Sequence, residues 1–291
     1  MLTLFGHRKF PAVRMNAVRG RRRDSTPYSA GGTLLLPSHC YSKSLVPTGA
    51  ELSEREFPKL THPPLREALI DIRLREELPA SVLPKFEAPK GFPVKHGIKH
   101  GQFQLQAEVD KPFTAKVLTE EALGIRYERE DGSEVVQLRR NGLTYSSLKN
   151  YPGWEVLREE ARDAWRGFLA VSGPVNVSRL AVRYVNAINI PLGADYDEYL
   201  TAGPRVPKLV PPIVSSFIQR VLVPFEQDSA TAIITQTLEM PALAVLDIDV
   251  FTECSLEGTS VEIWSKLEKL RNIANRIFFS SLTEKVIESY R

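Results

Sequence analysis

Past His100 the chain has no histidine: all five, His7, His39, His62, His96 and His100, lie in the first hundred residues. The rest must work without imidazole, which removes the usual general base from any Ser-His-Asp or Cys-His site built out of the core. Cysteine is nearly as scarce. Cys40 and Cys254 make no disulfide framework, and this usage fits a reducing, cytoplasmic setting. There is no Walker A loop and no GxGxxG, so nucleotide cradles in their usual form are missing. No apolar run approaches the roughly 20 residues that a membrane-spanning helix needs, and no membrane partner or cofactor is expected.

Acidic residues are nearly missing from the first fifty positions. Of 38 basic and 35 acidic residues in the chain, eight and one fall there, the acid being Asp24. That leaves 30 basic and 34 acidic residues for 51–291, a net charge of −4, so the pI near 8.8 belongs to the leading segment. The body offers no electrostatic reason to bind nucleic acid. Residues 1–58 show no helical or strand period and carry a basic knot at Arg19–Arg23. Clustered arginine suits a nucleic-acid or membrane-surface arm, and an acid-poor, Arg/Ser-rich composition suits a transit peptide. The simplest expectation is a disordered or non-native N-terminal extension, because such a composition cannot offset the entropy of ordering.

What the body has is alternation. In LREALIDIRL, Ala68, Ile70, Ile72 and Leu74 share one face and Glu67, Asp71 and Arg73 the other, as in a half-buried strand. Residues 79–101, with several Pro and Gly, read as a long loop with a short helical turn. QFQLQAEV alternates again and predicts a strand with one wet face. Asp131-Gly132 and Asn141-Gly142, each between alternating runs, are type I′ signals that predict a three-stranded meander over 123–148.

Tyr151–Pro191 is the clearest architecture in the sequence. Asn150 and Pro152 predict a helix start, and Leu157, Ala161, Ala164/Trp165 and Phe168 recur at helical spacing. Gly173-Pro174 predicts its end. Leu180, Val182, Tyr184, Asn186, Ile188 and Ile190 then share one face of a strand, with Asn186 the polar member of an apolar row. Beyond a helical turn at DYDEYL and a Pro-rich linker, strands are predicted at 216–225, 229–239 and 243–252. Thr259 with Glu262, and Ser281 with Glu284, read as capping boxes of a long and a short terminal helix. Runs of strands with one helix per run predict an α+β protein: antiparallel sheet with a meander, packed by two long amphipathic helices. The expected body is a single domain over 59–291, with two pseudo-repeated halves, 59–175 and 176–291.

The candidate ligand-binding residues are Glu67, Arg183, Tyr184, Asn186 and Asn189, with Arg73 beside them. Asn186, next to Tyr184 on the inward face, could hold a ligand by its amide or satisfy a backbone group beneath the helix. Arg183, on the opposite face, is expected to pair with an acid such as Glu67. Asp247 and Asp249 project from one strand face and could chelate a hard cation, though a solvated outer face explains them as well. His96 and His100 lack an HExxH context and read as exposed loop residues. Cys254, without a base nearby in sequence, reads as an unreactive thiol.

Four motifs occur in order: PPLREALIDIRL, YPGWE, RYVNAINIP and LRNIANRIFFSSLTE. On these residues the chain, over roughly 60–290, resembles the sporadically distributed family of uncharacterised bacterial and archaeal proteins that share them. The resemblance implies no particular activity, cofactor or catalytic residue. The family's patchy distribution implies an accessory role, of the kind found in defence or toxin–antitoxin neighbourhoods. The expected function is therefore a soluble binding or regulatory component whose partner is another protein or a second copy. The alternative is a carboxylate- or metal-dependent enzyme using Asp247, Asp249 or Glu67. A third, nucleic-acid binding, rests on the N-terminal arginines alone.

Overall fold

Strand alternation carries through into one antiparallel sheet. The computed structural model describes residues 57–106, 114–191, 193–211, 214–239 and 242–291, all within one compact unit. The expectation for residues 1–58 falls, Phe57 and Pro58 apart, outside them. Among the described residues nine strands form: β1 (Leu65–Leu74), β2 (Val94–Gln106), β3 (Thr114–Glu128), β4 (Glu134–Arg139), β5 (Gly142–Ser147), β6 (Asn176–Asn189), β7 (Ile218–Phe225), β8 (Ala230–Glu239) and β9 (Leu243–Glu257). They make a single antiparallel sheet in the order β2-β3-β4-β5-β1-β6-β9-β8-β7. Three α-helices accompany it among the described residues: α1 (Trp154–Ser172), α2 (Glu262–Ser281) and α3 (Glu284–Glu288). The large antiparallel sheet with a few helices makes this a mixed α+β fold.

One face of the sheet is apolar. Ala68, Ile70 and Ile72 of β1, Leu180 and Val182 of β6, and Ile248 and Val250 of β9 are wholly buried there. The apolar stripe of α1, Trp154, Leu157, Ala161, Trp165 and Phe168, is buried with them, and α1 lies on β5 and β1. α2 lies on β9 and β6. Trp165 also donates its indole N–H to the Gly258 carbonyl at 2.8 Å, tying α1 to the end of β9. The stripe buries several large side chains at roughly 1.5–3 kcal/mol each, so packing rather than helix propensity holds α1 in place.

Several local expectations need correction. The segment 94–101 is not loop: β2 begins at Val94, and its partner β3 supplies the ladder. His96 thus lies on a strand, 3.4 Å from the Glu128 carboxylate. Neither tight turn is type I′, which needs positive φ at both central residues. Among the described residues, the non-glycine positions with positive φ are Asn150 and Ser229, so Asp131 and Asn141 do not qualify. In the second hairpin Arg139 pairs with Gly142, and the connection is Arg140-Asn141. Gly142 is required for another reason. It sits at φ +137°, and a Cβ there would fall 2.0 Å from the Ile72 carbonyl oxygen.

The predicted caps also differ. Gly153, at φ +105°, precedes α1 without a side-chain cap, and the 72° φ of Gly173 ends it as expected. At α2 it is Ser260 whose hydroxyl accepts the Glu262 N–H, at 3.2 Å, in place of Thr259. Ser281 donates back to the Ile277 carbonyl within α2, so it does not box α3.

Candidate functional site

The second face of the sheet carries the chemistry. Because side chains alternate, the residues between the core positions of β1, β6 and β9 emerge together: Asp71 and Arg73, Arg179 and Arg183, Asp247 and Asp249. No described helix packs on this face. Asp71 is nonetheless only 4% exposed. It accepts from Thr144 Oγ1 at 2.6 Å, from Arg73 Nε at 2.7 Å and from Arg179 Nη1 at 3.3 Å. Arg179 reaches on to Asp249 at 3.3 Å and lies over the Phe251 ring, 4.5 Å from its centroid. Arg183 grips Asp247 in a two-point fork, Nε to Oδ1 at 2.7 Å and Nη2 to Oδ2 at 2.5 Å.

This lattice has a row structure. The register places Arg139, Gly142, Arg73, Arg179 and Glu253 opposite one another across β4, β5, β1, β6 and β9. Arg73 and Arg179 face each other directly, an arrangement that like charge disfavours. Asp71, two positions along β1 and so on the same face, accepts from both guanidiniums and makes it tenable. Burial raises the Asp249 carboxyl above its ordinary range even though Arg179 and Arg183 pull the other way. The hydrogen bonds that Arg183 donates to Asp247 hold its guanidinium above its ordinary value. Burial, then the charge of Arg73, lowers that of Arg139, whose own hydrogen-bond partner is the neutral Gln137.

The sequence candidates divide between the two faces. Arg183, Asp247 and Asp249 are brought together. Glu67 shares their face and adds to the field on Arg183, but makes no ion pair among the described residues, so the expected Arg183–Glu67 pair is replaced by Arg183–Asp247. Tyr184 and Asn186 point the other way, into the core. Asn186 is 3% exposed and its Nδ2 donates to the Leu246 carbonyl at 3.2 Å, beside the irregularity where Leu65 and Glu67 shift register on β6. Tyr184 meets Tyr151 edge to face, their hydroxyls 3.5 Å apart, and burial raises both phenols. Those hydroxyls lie at a polar seam where Glu268 of α2 accepts from Trp154 Nε1 at 2.5 Å and Arg158 at 3.0 Å. Asn189 is exposed at the end of β6.

Two open depressions mark the surface. One, of about 610 Å³, lies between the 88–93 loop and the turn at Arg129–Asp131, with Arg129 over the Phe92 ring. The other, of about 480 Å³, lies at the end of the arginine row and is lined by Arg73, Arg75, Asn141, Ser178, Arg179 and Glu253. Neither touches Tyr184 or Asn186. Cys254 also borders the second, where burial raises its thiol and so suppresses the thiolate. Among the described residues no three of His, Cys, Asp and Glu are grouped closely enough to hold a metal ion, and no helix is long and apolar enough to cross a membrane.

Asp71, Thr144, Arg139, Arg179 and Arg75 are site residues that sequence reasoning missed. The available signal was charge of alternating sign on the second face of three strands, taken strand by strand as solvated surface. Only the strand order, with β1, β6 and β9 adjacent, turns those charges into one lattice. No protein-family model matches the chain, and a search of curated proteins finds no match either.

Proposed function

We propose that the protein is a binding or regulatory component that meets another protein, or a second copy of itself, along β7. The carrying observation is an edge of the sheet that takes no further strand among the described residues. β7 ends the strand order, and Ile218 and Leu222 on it are 74% and 66% exposed. An edge strand presents unpaired backbone N–H and C=O groups, and contiguous exposed apolar side chains mark interaction surfaces. Leu209, fully exposed, and Val206 and Val210 precede it in the proline-rich connection. Replacing both Ile218 and Leu222 with Asp should abolish association in sedimentation velocity or partner capture while leaving the melting temperature unchanged. A parent chain that stays monomeric at every concentration and captures no protein would sink the reading.

The same reading takes the body as two related halves, 59–175 and 176–291, each a strand, a meander and an amphipathic helix packed on the sheet. The strand order supports it: β1 and β6 are central neighbours, each flanked by the last strand of its own meander, β5 and β9. Membership of the sporadically distributed family belongs to this proposal too. Its motifs fall on β1, the approach to α1, the end of β6 and the end of α2. A cytoplasmic setting is supported by the sparse cysteine. The alternative, a metal-dependent enzyme at Asp247 and Asp249, is supported by their shared face. Calorimetry with Mg²⁺, Mn²⁺ and Ca²⁺ should show binding that is lost in Asp247→Asn if that alternative holds, and no heat if it does not.

A further inference from the structure

The depression at the end of the arginine row has more positive than negative charge to satisfy. Arg73 is engaged by Asp71 and Asn141, and Arg179 by Asp71 and Asp249. Among the described residues Arg75, exposed at the rim, has no carboxylate partner, and Arg139, in the same row, bonds to the neutral Gln137. Three guanidiniums and one carboxylate, Glu253, thus line the depression, and the two acids beside it, Asp71 and Asp249, hold Arg73 and Arg179. Glu253 sits at the opposite rim, exposed and without an ion pair among the described residues. Arg73 lies in β1 and Arg75 just past its end, beyond the irregularity at Arg73/Leu74; both line the depression, with Arg179 across from Arg73 on the neighbouring strand. Adjacent strands are about 4.8 Å apart, which brings these guanidiniums around a shared space. Asn141 and the Ser178 hydroxyl add neutral polar groups to the same wall.

We propose that this depression binds a small phosphate-bearing molecule, its phosphate oxygens held by Arg75 with the outward N–H groups of Arg73 and Arg179. Guanidinium forks match phosphate oxygens, and Asp71 fixes two of them in place before any ligand arrives. A volume of about 480 Å³ is that of a small-molecule site rather than of a single carboxylate. The site is separate from β7, which β8 parts from β9, and stands whether or not β7 binds a partner. Glu253 limits the charge the site accepts, since each added anionic oxygen near the rim meets its carboxylate.

Calorimetry of the full chain with pyrophosphate as the probe, at constant ionic strength, tests this. Saturable binding is expected, weakened about tenfold by Arg75→Gln, as for one lost charge-assisted contact, and tightened severalfold by Glu253→Gln. Both side chains are exposed, so folding should survive; an unchanged melting temperature without ligand confirms it. Arg166→Gln, an exposed change on α1, should leave affinity alone. Binding that ignores both rim substitutions places the anion elsewhere, on the N-terminal arginines for instance, and overturns the proposal. So does an absence of heat at millimolar pyrophosphate. A short single-stranded oligonucleotide that binds far more tightly than pyrophosphate, with the same Arg75 dependence, would replace the small molecule with a nucleic acid.

Discussion

Asp71 and Asp249 are both carboxylates on the second face of the sheet, and their surroundings give them opposite roles. Asp71 is shared by Arg73, Arg179 and Thr144 and is nearly fully buried. Asp71→Asn leaves two facing guanidiniums with no charge between them and should cost about 3 kcal/mol in urea unfolding, as when one partner of a buried pair is removed. Asp249 is held above its ordinary pKa by burial. As pH rises past the ordinary carboxylate value, the unfolded chain has already released this proton while the folded chain keeps it. The folded state binds more protons in that window, so this carboxyl makes stability fall with rising pH until the raised pKa is passed. Asp249→Asn should flatten that part of the profile and leave the protein at least as stable at neutral pH. Urea midpoints across the acid range check both. A steeper fall in Asp249→Asn than in the parent would contradict the assignment.

Among the elements, the β4–β5 hairpin shows how a correct prediction can rest on the wrong cause. Asn141-Gly142 between alternating runs does mark the place of a tight turn, although the connecting residues are Arg140 and Asn141 and Gly142 already belongs to β5. The glycine, however, serves the neighbour: its missing Cβ lets β1 approach through Ile72. Gly142→Ala should therefore cost roughly 3 kcal/mol, a steric clash with backbone. Gly132→Ala, in the first turn at φ +65° with nothing closer than the end of Lys149 at 3.7 Å, should cost about 1 kcal/mol. Thermal or chemical denaturation of the two variants separates the cases. Strand positions and the stripe of α1 were legible because their period is written in consecutive residues. The start of β2 was not, since Pro93 and Gly97 obscure its alternation and its partner β3 supplies the ladder.

At the scale of the whole molecule, the candidate site was the part least visible in the chain. Asp71, Arg179 and Asp249 lie far apart in sequence and meet only because β1, β6 and β9 are neighbours in the sheet. Asn186 was legible as an unusual residue, and its amide satisfies the Leu246 carbonyl in the core. The proposed protein contact on β7 and the proposed anion site among the arginines draw on different parts of one sheet. One depends on apolar exposure at an unpaired edge, the other on unmatched charge near the centre. High salt should therefore act on them differently, weakening the second by screening and sparing the first.

The central pairing of β1 with β6 also bears on how the chain is made. Ile70 sits opposite Val182, more than a hundred residues later, and every contact across the middle of the sheet waits for that strand. At about 10 residues per second on the ribosome, roughly ten seconds separate their synthesis. During that interval the edge of β1 that takes β6 has no partner strand in the nascent chain, and closure of this long loop is expected to follow the formation of the hairpins.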